Sequence, residues 1–157
     1  MPHNLEEVIH QNYFENPYLK ILVGLMVVNS RMEERQNVIL KRYDLSLQQY
    51  NVLRILRGQY PNYCTLLVIK ERMIDRMSDV SRIVERLRKN RLLTREPKAE
   101  DRRAVDIRIT DIGLDLLKRI DTEIDYFYEP IKKMPDEDVT QFAELLEKLL
   151  NQVIVSE

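Results

Sequence analysis

Apolar residues recur at helical spacing along most of the chain, and strand-like alternation is confined to about residues 92–110. From Pro17 to about residue 42, Leu19, Leu22, Val23, Met26 and Val27 form one stripe, which predicts a helix. Val28, Met32, Val38, Ile39 and Leu40 widen the stripe, so this helix needs partners on more than one side. Asn16-Pro17 supplies its start, with Asn as cap and Pro in the first turn. Residues 1–15 read as irregular. Asp44-Leu45-Ser46 interrupts the pattern, and Ser46-Leu47-Gln48-Gln49 reads as a capping box opening a helix over about 47–57. Gly58 is placed to end that helix through a left-handed turn. Thr65 then caps TLLVIKERMI, Asp75-Arg76-Met77 forms a turn, and Ser78 caps a short basic helix, SDVSRIVERLRKN. LLTRE and AVDIRIT read as strands, the second with Val105, Ile107 and Ile109 on one face and Asp106 and Arg108 on the other. Thr110-Asp111 opens a helix to about residue 130, where Pro130 stops it. A last helix begins at Pro135 with acids in its first turn, and Phe142, Leu145, Leu146, Leu149, Leu150 and Val153 exceed one narrow stripe.

The order helix, helix, turn, helix, ribbon predicts a mainly α fold with a small β-wing, a winged helix-turn-helix. Composition agrees. Three Gly and six Pro in 157 residues leave few tight turns for an all-β fold. The longest apolar run, ILVGLMVV at 21–28, is too short to span a bilayer, so no membrane role is expected. The start, MPHNLEEVIHQNYF, lacks the basic-then-apolar run of a secretory signal, and Cys64 is the sole cysteine, which points to the cytoplasm.

The net charge of −1 hides an asymmetry. Residues 70–108 hold 13 Lys/Arg and 8 Asp/Glu, against 12 and 18 in the rest of the chain. Binding to phosphates depends on local cations rather than on the total, so this segment is the candidate nucleic-acid surface. On the basic helix, Val80, Ile83, Val84 and Leu87 share a face fit for burial. Ser78, Asp79, Arg82 and Arg86 fall on the other, with Ser81 at the margin. Small polar residues at a helix start allow close approach to a groove, and Arg82 and Arg86, one turn apart, match guanine edges. The alternative is a solvated face on which these arginines pair with Asp79 and Glu85. Lys98, Arg102 and Arg103 at the ribbon tip suit a narrow minor groove, and Asp101 suits the bracing of an arginine.

The run Asp101-Arg102-Arg103-Ala104-Val105-Asp106-Ile107-Arg108-Ile109-Thr110-Asp111-Ile112-Gly113 resembles the D-x-R…(L/I)-T-x-x-G signature of MarR-type transcriptional regulators. SRIVERLRKNRLLTRE resembles that family's recognition helix entering its wing, and LSLQQYNVLRIL at 45–56 its preceding helix. The resemblance implies one MarR-like domain over 1–157. The winged helix-turn-helix lobe is then 45–110, and 17–43 and 111–155 are dimerisation helices. It implies a homodimer on double-stranded, pseudo-palindromic DNA, with Arg103 in the minor groove and Asp101 as its brace. Ser78, Asp79, Ser81 and Arg82 would start the reading helix, and Thr110 and Gly113 would serve as helix cap and close-packed first turn. The family commonly has Gly where this chain has Arg91. Asn90 tolerates left-handed backbone and is the expected substitute, unless the turn differs.

The family often senses small aromatic or lipophilic effectors between its dimer and DNA parts, for which Tyr18, Tyr43 and Tyr50, with Tyr13, are candidate linings. Aromatic residues at this spacing are also ordinary core. Cys64 reads as a passive thiol, and His3 and His10 lack the companions of a metal site. No Gly-rich phosphate loop or nucleophile elbow is present, so neither an enzyme nor a cofactor is expected. The leading function is a dimeric DNA-binding repressor released by a ligand. The alternative is a winged-helix protein-interaction module without specific DNA binding, suggested by Asp79 and Glu100 near the contact surface.

Overall fold

The computed structural model of the protein describes residues 4–97 and 105–155. A four-residue helix, α1 (Leu5–Val8), lies within the segment expected to be irregular. The Asn4 side chain caps it, and Glu6 bonds Lys20 at 2.7 Å. The long helix α2 (Pro17–Leu40) starts on the Asn16 side chain as expected. A 3-10 turn over Lys41–Tyr43 follows, and Asp44 takes a left-handed conformation at φ 54° that redirects the chain. The capping box forms in full at α3 (Leu47–Gln59), with Ser46 accepting from the Gln49 amide and Gln49 accepting from the Ser46 amide. Gly58 does not end α3. It stays helical, and Tyr60 closes the helix with ordinary negative φ.

Helix α4 (Leu66–Arg72) is shorter than expected, because Met73 leaves the helix in extended conformation and buries its side chain. Then come α5 (Val80–Lys89), β1 (Leu93–Pro97), β2 (Val105–Ile109) and α6 (Asp111–Asp121). The strands pair antiparallel with Leu93 opposite Ile109 and Pro97 opposite Val105. Cys64 adds a bridge at the ribbon's base, exchanging backbone bonds of 2.8 and 2.9 Å with Ile107. The alternation predicted for the return strand holds: Ile107 and Ile109 are buried.

One core joins these pieces. Leu40, Val52, Leu53, Leu56, Ile69, Val84, Leu87, Leu93, Ile107, Leu117 and Ile120 are all under 2% or fully closed to solvent. Helix α6 therefore packs inside the winged-helix core, although it falls in the segment 111–155 assigned above to dimerisation. The expected helix to residue 130 is divided. It breaks after α6, and α7 (Asp125–Lys132) carries Pro130 in its interior rather than at its end.

The tolerance of Pro130 has a local cause. Proline has no N–H to give the carbonyl four residues back, which is that of Tyr126. Arg35 of α2 supplies the missing donor, its guanidinium bonding the Tyr126 carbonyl at 3.0 Å and Glu129 at 2.7 Å while lying 4.1 Å over the Tyr126 ring. Lys133 and Arg35 together hold the Glu129 carboxyl below its usual range. Last comes α8 (Asp136–Val155).

The end of α5 departs from expectation. Arg91 itself takes the left-handed conformation at φ 60°, and Asn90 keeps φ −83°. The Leu92 amide bonds the Leu87 carbonyl at 3.0 Å and the Arg91 amide bonds that of Arg88 at 2.9 Å, which is the Schellman pattern. Its geometry puts the left-handed residue one position beyond the cap, so Asn90 cannot take it without pulling Leu87 and Leu92 out of the core. A side chain in this conformation costs roughly 1 kcal/mol that glycine avoids. Arg91→Gly is therefore expected to raise stability by up to about 1 kcal/mol, read as a higher urea midpoint with an unchanged slope.

Candidate nucleic-acid interface

The reading helix is set by its first residues. Asp79, not Ser78, is the N-cap of α5: its carboxylate accepts from the Arg82 amide at 3.1 Å, where the helix dipole also favours an anion. The reason is register, since Val80 must be the first helical residue to bury with Val84 and Leu87. Ser78 instead donates its hydroxyl to Asp75 at 2.9 Å, and the other Asp75 oxygen accepts from the Met77 amide at 2.9 Å. Asp75, Ser78 and Asp79 thus fix the step from turn to helix.

Ser81, Arg82 and Arg86 are exposed on the face opposite the core. Neither the Arg82 nor the Arg86 guanidinium has an acid partner among the described residues. Arg88 differs, because Glu85 takes it in two bonds of 2.9 and 3.0 Å and lies 4.0 Å from Arg95 of β1. Arg88 and its neighbours hold the Glu85 carboxyl below its usual range. The pairing weighed in the sequence therefore falls on Arg88, and the two arginines singled out for base edges remain open. Lys98, Asp101, Arg102 and Arg103, like Glu100 and His3, lie outside the described residues.

A junction under the ribbon holds helix and wing together. Thr110 caps α6 by accepting from the Gly113 amide at 3.1 Å, and its hydroxyl donates to the Arg91 carbonyl at 2.7 Å. The Thr110 amide bonds the Leu92 carbonyl at 3.1 Å. That carbonyl passes so close to Gly113 that a Cβ there would stand 2.3 Å from it. One threonine and one glycine thus tie the exit of α5 to the end of the wing and the start of α6.

Of the candidate ligand tyrosines, Tyr50 lines a cavity. This cavity, of about 340 Å³, lies between Asn29, Met32, Glu33 and Gln36 of α2, the start of α3, Phe127, and Met73–Asp75 ahead of α5. Tyr50 is 4% exposed, and the Arg54 guanidinium carbon lies 5.8 Å from its ring centre. Tyr43 instead donates to Glu123 at 2.7 Å, tying the 3-10 turn to the segment after α6. Tyr18 is 80% exposed and the Tyr13 hydroxyl bonds Glu15. Burial pushes the Cys64 thiol up, the opposite of a reactive thiolate. Sequence reasoning missed Arg35, Arg54 and the Met73–Asp75 wall, because their roles depend on contacts distant in the chain.

Helix-turn-helix, ribbon and open arginine face define a winged helix DNA-binding domain, and residues 45–113 match the family described as winged helix DNA-binding domain. The HTH-type transcriptional repressor IacR of Pseudomonas putida is 25% identical over 127 residues, spanning 80% of this chain and 75% of that protein. A MarR transcription factor from Planctomyces limnophilus is 29% identical with a TM-score of 0.67, covering 91% of this chain and 99% of its own. The S. aureus MepR–DNA complex shares the fold at 20% identity and a TM-score of 0.76, over 89% of this chain and 99% of that one. Residues 45–113 thus form a winged helix DNA-binding domain, and over most of its length the chain is similar to transcriptional regulators of the MarR type.

Proposed function

We propose that this regulator works as a homodimer that grips a pseudo-palindromic duplex, represses transcription from it, and releases it when a small ligand fills the cavity between α2 and the winged helix. The observation that carries the DNA reading is the pair of guanidinium groups, Arg82 and Arg86, on the exposed face of α5, neither with an acid partner among the described residues. With Ser81 they enter the major groove, while Asp79 and Ser78 set the helix start. Lys98, Arg102 and Arg103 reach the minor groove with Asp101 as brace. The relatives named above, a repressor and a protein solved on DNA, support the same reading.

Dimerisation through the end helices is supported by their surface. In α8, every residue from Asp136 to Ile154 except Val139 is exposed, including Phe142, Leu145, Leu149, Leu150 and Val153. Tyr18, Leu19, Ile21, Leu22 and Met26 of α2 are exposed as well. Monomeric proteins rarely show apolar faces of this extent to water. Among the described residues no helix is long and apolar enough to cross a membrane. We place the protein in the cytoplasm, where a buried lone thiol such as Cys64 stays reduced.

Ligand release is supported by the cavity walls. They join the long helix to Asp75, whose two bonds hold the entry to α5. Footprinting of the DNA upstream of the protein's own gene tests the whole reading. Two protected half-sites about one helical turn apart are expected. The double variant Phe142→Lys, Leu149→Lys should sediment as a monomer and lose that protection. Binding that is equal on any duplex and gone by moderate salt would favour the protein-interaction alternative instead.

A further inference from the structure

We propose that Met77, in the turn ahead of α5, reads a thymine of the operator through the 5-methyl group of that base. The proposal rests on the reading of α5 as the helix that enters the major groove, and it adds a specificity-determining residue outside the helix itself.

The turn between α4 and α5 is pinned at both ends, since the Met73 and Val80 side chains are buried. Within it, Asp75 accepts from the Met77 amide and from the Ser78 hydroxyl at 2.9 Å each, and the Ser78 amide bonds the Asp75 carbonyl at 3.3 Å. Asp79 then caps α5. The Met77 backbone is thus fixed just ahead of that cap, yet its side chain is 92% exposed. An apolar residue ahead of a helix commonly folds back onto the first turns of that helix. Met77 does not. A well-held backbone therefore presents a large apolar side chain at the edge of the surface that meets DNA, continuous with Ser81 and Arg82.

The chemistry of that side chain selects its contact. A thioether has no hydrogen to donate and accepts only weakly, so it cannot hold a phosphate or match the polar atoms of a base edge. The apolar group displayed in the major groove is the thymine 5-methyl. Methionine is unbranched, with three rotatable bonds, and adapts to such a group from a fixed backbone. Asp75 and Asp79, on either side, are engaged with the turn and the helix start, so the contact offered between them is apolar. Arg82 and Arg86 suit guanine edges, and a methyl contact extends the reading to a neighbouring A·T pair.

A duplex selected by the purified full chain from a random pool supplies the site. Fluorescence anisotropy then measures affinity with each thymine in turn replaced by deoxyuridine, which lacks only the methyl group. At one thymine per half-site the replacement should weaken binding about threefold to fivefold, the worth of one methyl removed from water. Met77→Ala should bind the unmodified duplex more weakly by a similar factor and lose the response at that thymine. Met77→Leu should keep the response, and Met77→Gln should lack it. All three variants should melt with the parent, because so exposed a side chain packs on little of its own chain. If the parent shows no such response, or if every response of the parent persists in Met77→Ala, the methyl contact is overturned and α5 keeps its place in the groove. A Met77→Ala chain with altered sedimentation and unaltered DNA affinity assigns the side chain to a protein contact and overturns the proposal as well. A pool that yields no preferred sequence overturns both the methyl contact and the sequence-specific reading of α5.

Discussion

Gly113→Ala is expected to cost about 2–3 kcal/mol, although alanine is the better helix former by about 1 kcal/mol. The obstacle is space rather than backbone freedom, since no glycine among the described residues has positive φ. A Cβ would meet the Leu92 carbonyl at 2.3 Å and the Ile109 side chain at 2.7 Å. The carbonyl cannot step aside, because the Thr110 amide holds it at 3.1 Å and the Schellman turn fixes Leu92 from the other side. Valine at the same place should prevent the lobe from folding. Gly58 supplies the control. It is also helical, nothing lies within 4 Å of its missing Cβ, and alanine there should gain about 0.5–1 kcal/mol. Urea unfolding of the two variants should therefore move the midpoint in opposite directions. A Gly113→Ala protein as stable as its parent would remove the junction from the account of how helix and wing are held.

Arg82→Ala and Arg86→Ala should each weaken operator binding by about fivefold to a hundredfold, the range for an arginine that reads a base edge. Arg88→Ala should change affinity much less, because Glu85 already holds that guanidinium in two bonds. Fluorescence anisotropy on the protected duplex, repeated on a scrambled one, separates reading from general attraction. Loss confined to the true site marks a base contact, and uniform loss with a flatter salt dependence marks a phosphate contact. Equal damage from Arg88→Ala and Arg82→Ala would show that charge, not availability, governs the face. The sedimentation behaviour of all three variants should match the parent, since none of them lies on the end helices.

Much of this arrangement was legible in the sequence because local chemistry decided it. The Ser46/Gln49 box, the Asn16-Pro17 start, the alternation of Val105, Ile107 and Ile109 and the Thr110-Gly113 pair each act within a few residues and appear as read. The misplacements share another cause. Ser78 and Asp79 are both good caps, and only the burial of Val80 selects between them. Arg91 is a poor left-handed residue by propensity, yet the packing of Leu87 and Leu92 imposes that conformation on it. Pro130 breaks a helix by local rule, and an arginine 95 positions earlier cancels the rule. Tyr18, Tyr43 and Tyr50 share the same chemistry, and only the folded chain shows that Tyr50 lines the cavity between α2 and α3.

The final helix has a consequence for how the protein behaves at different abundances. With its apolar side exposed, α8 would on the proposed dimerisation gain its burial from an encounter between molecules, which makes its order second-order in copy number. Dilution should loosen it well before the lobe melts, and the thermal midpoint should climb as the solution is concentrated. A cell holding few copies would then have little competent regulator, whatever the operator's strength.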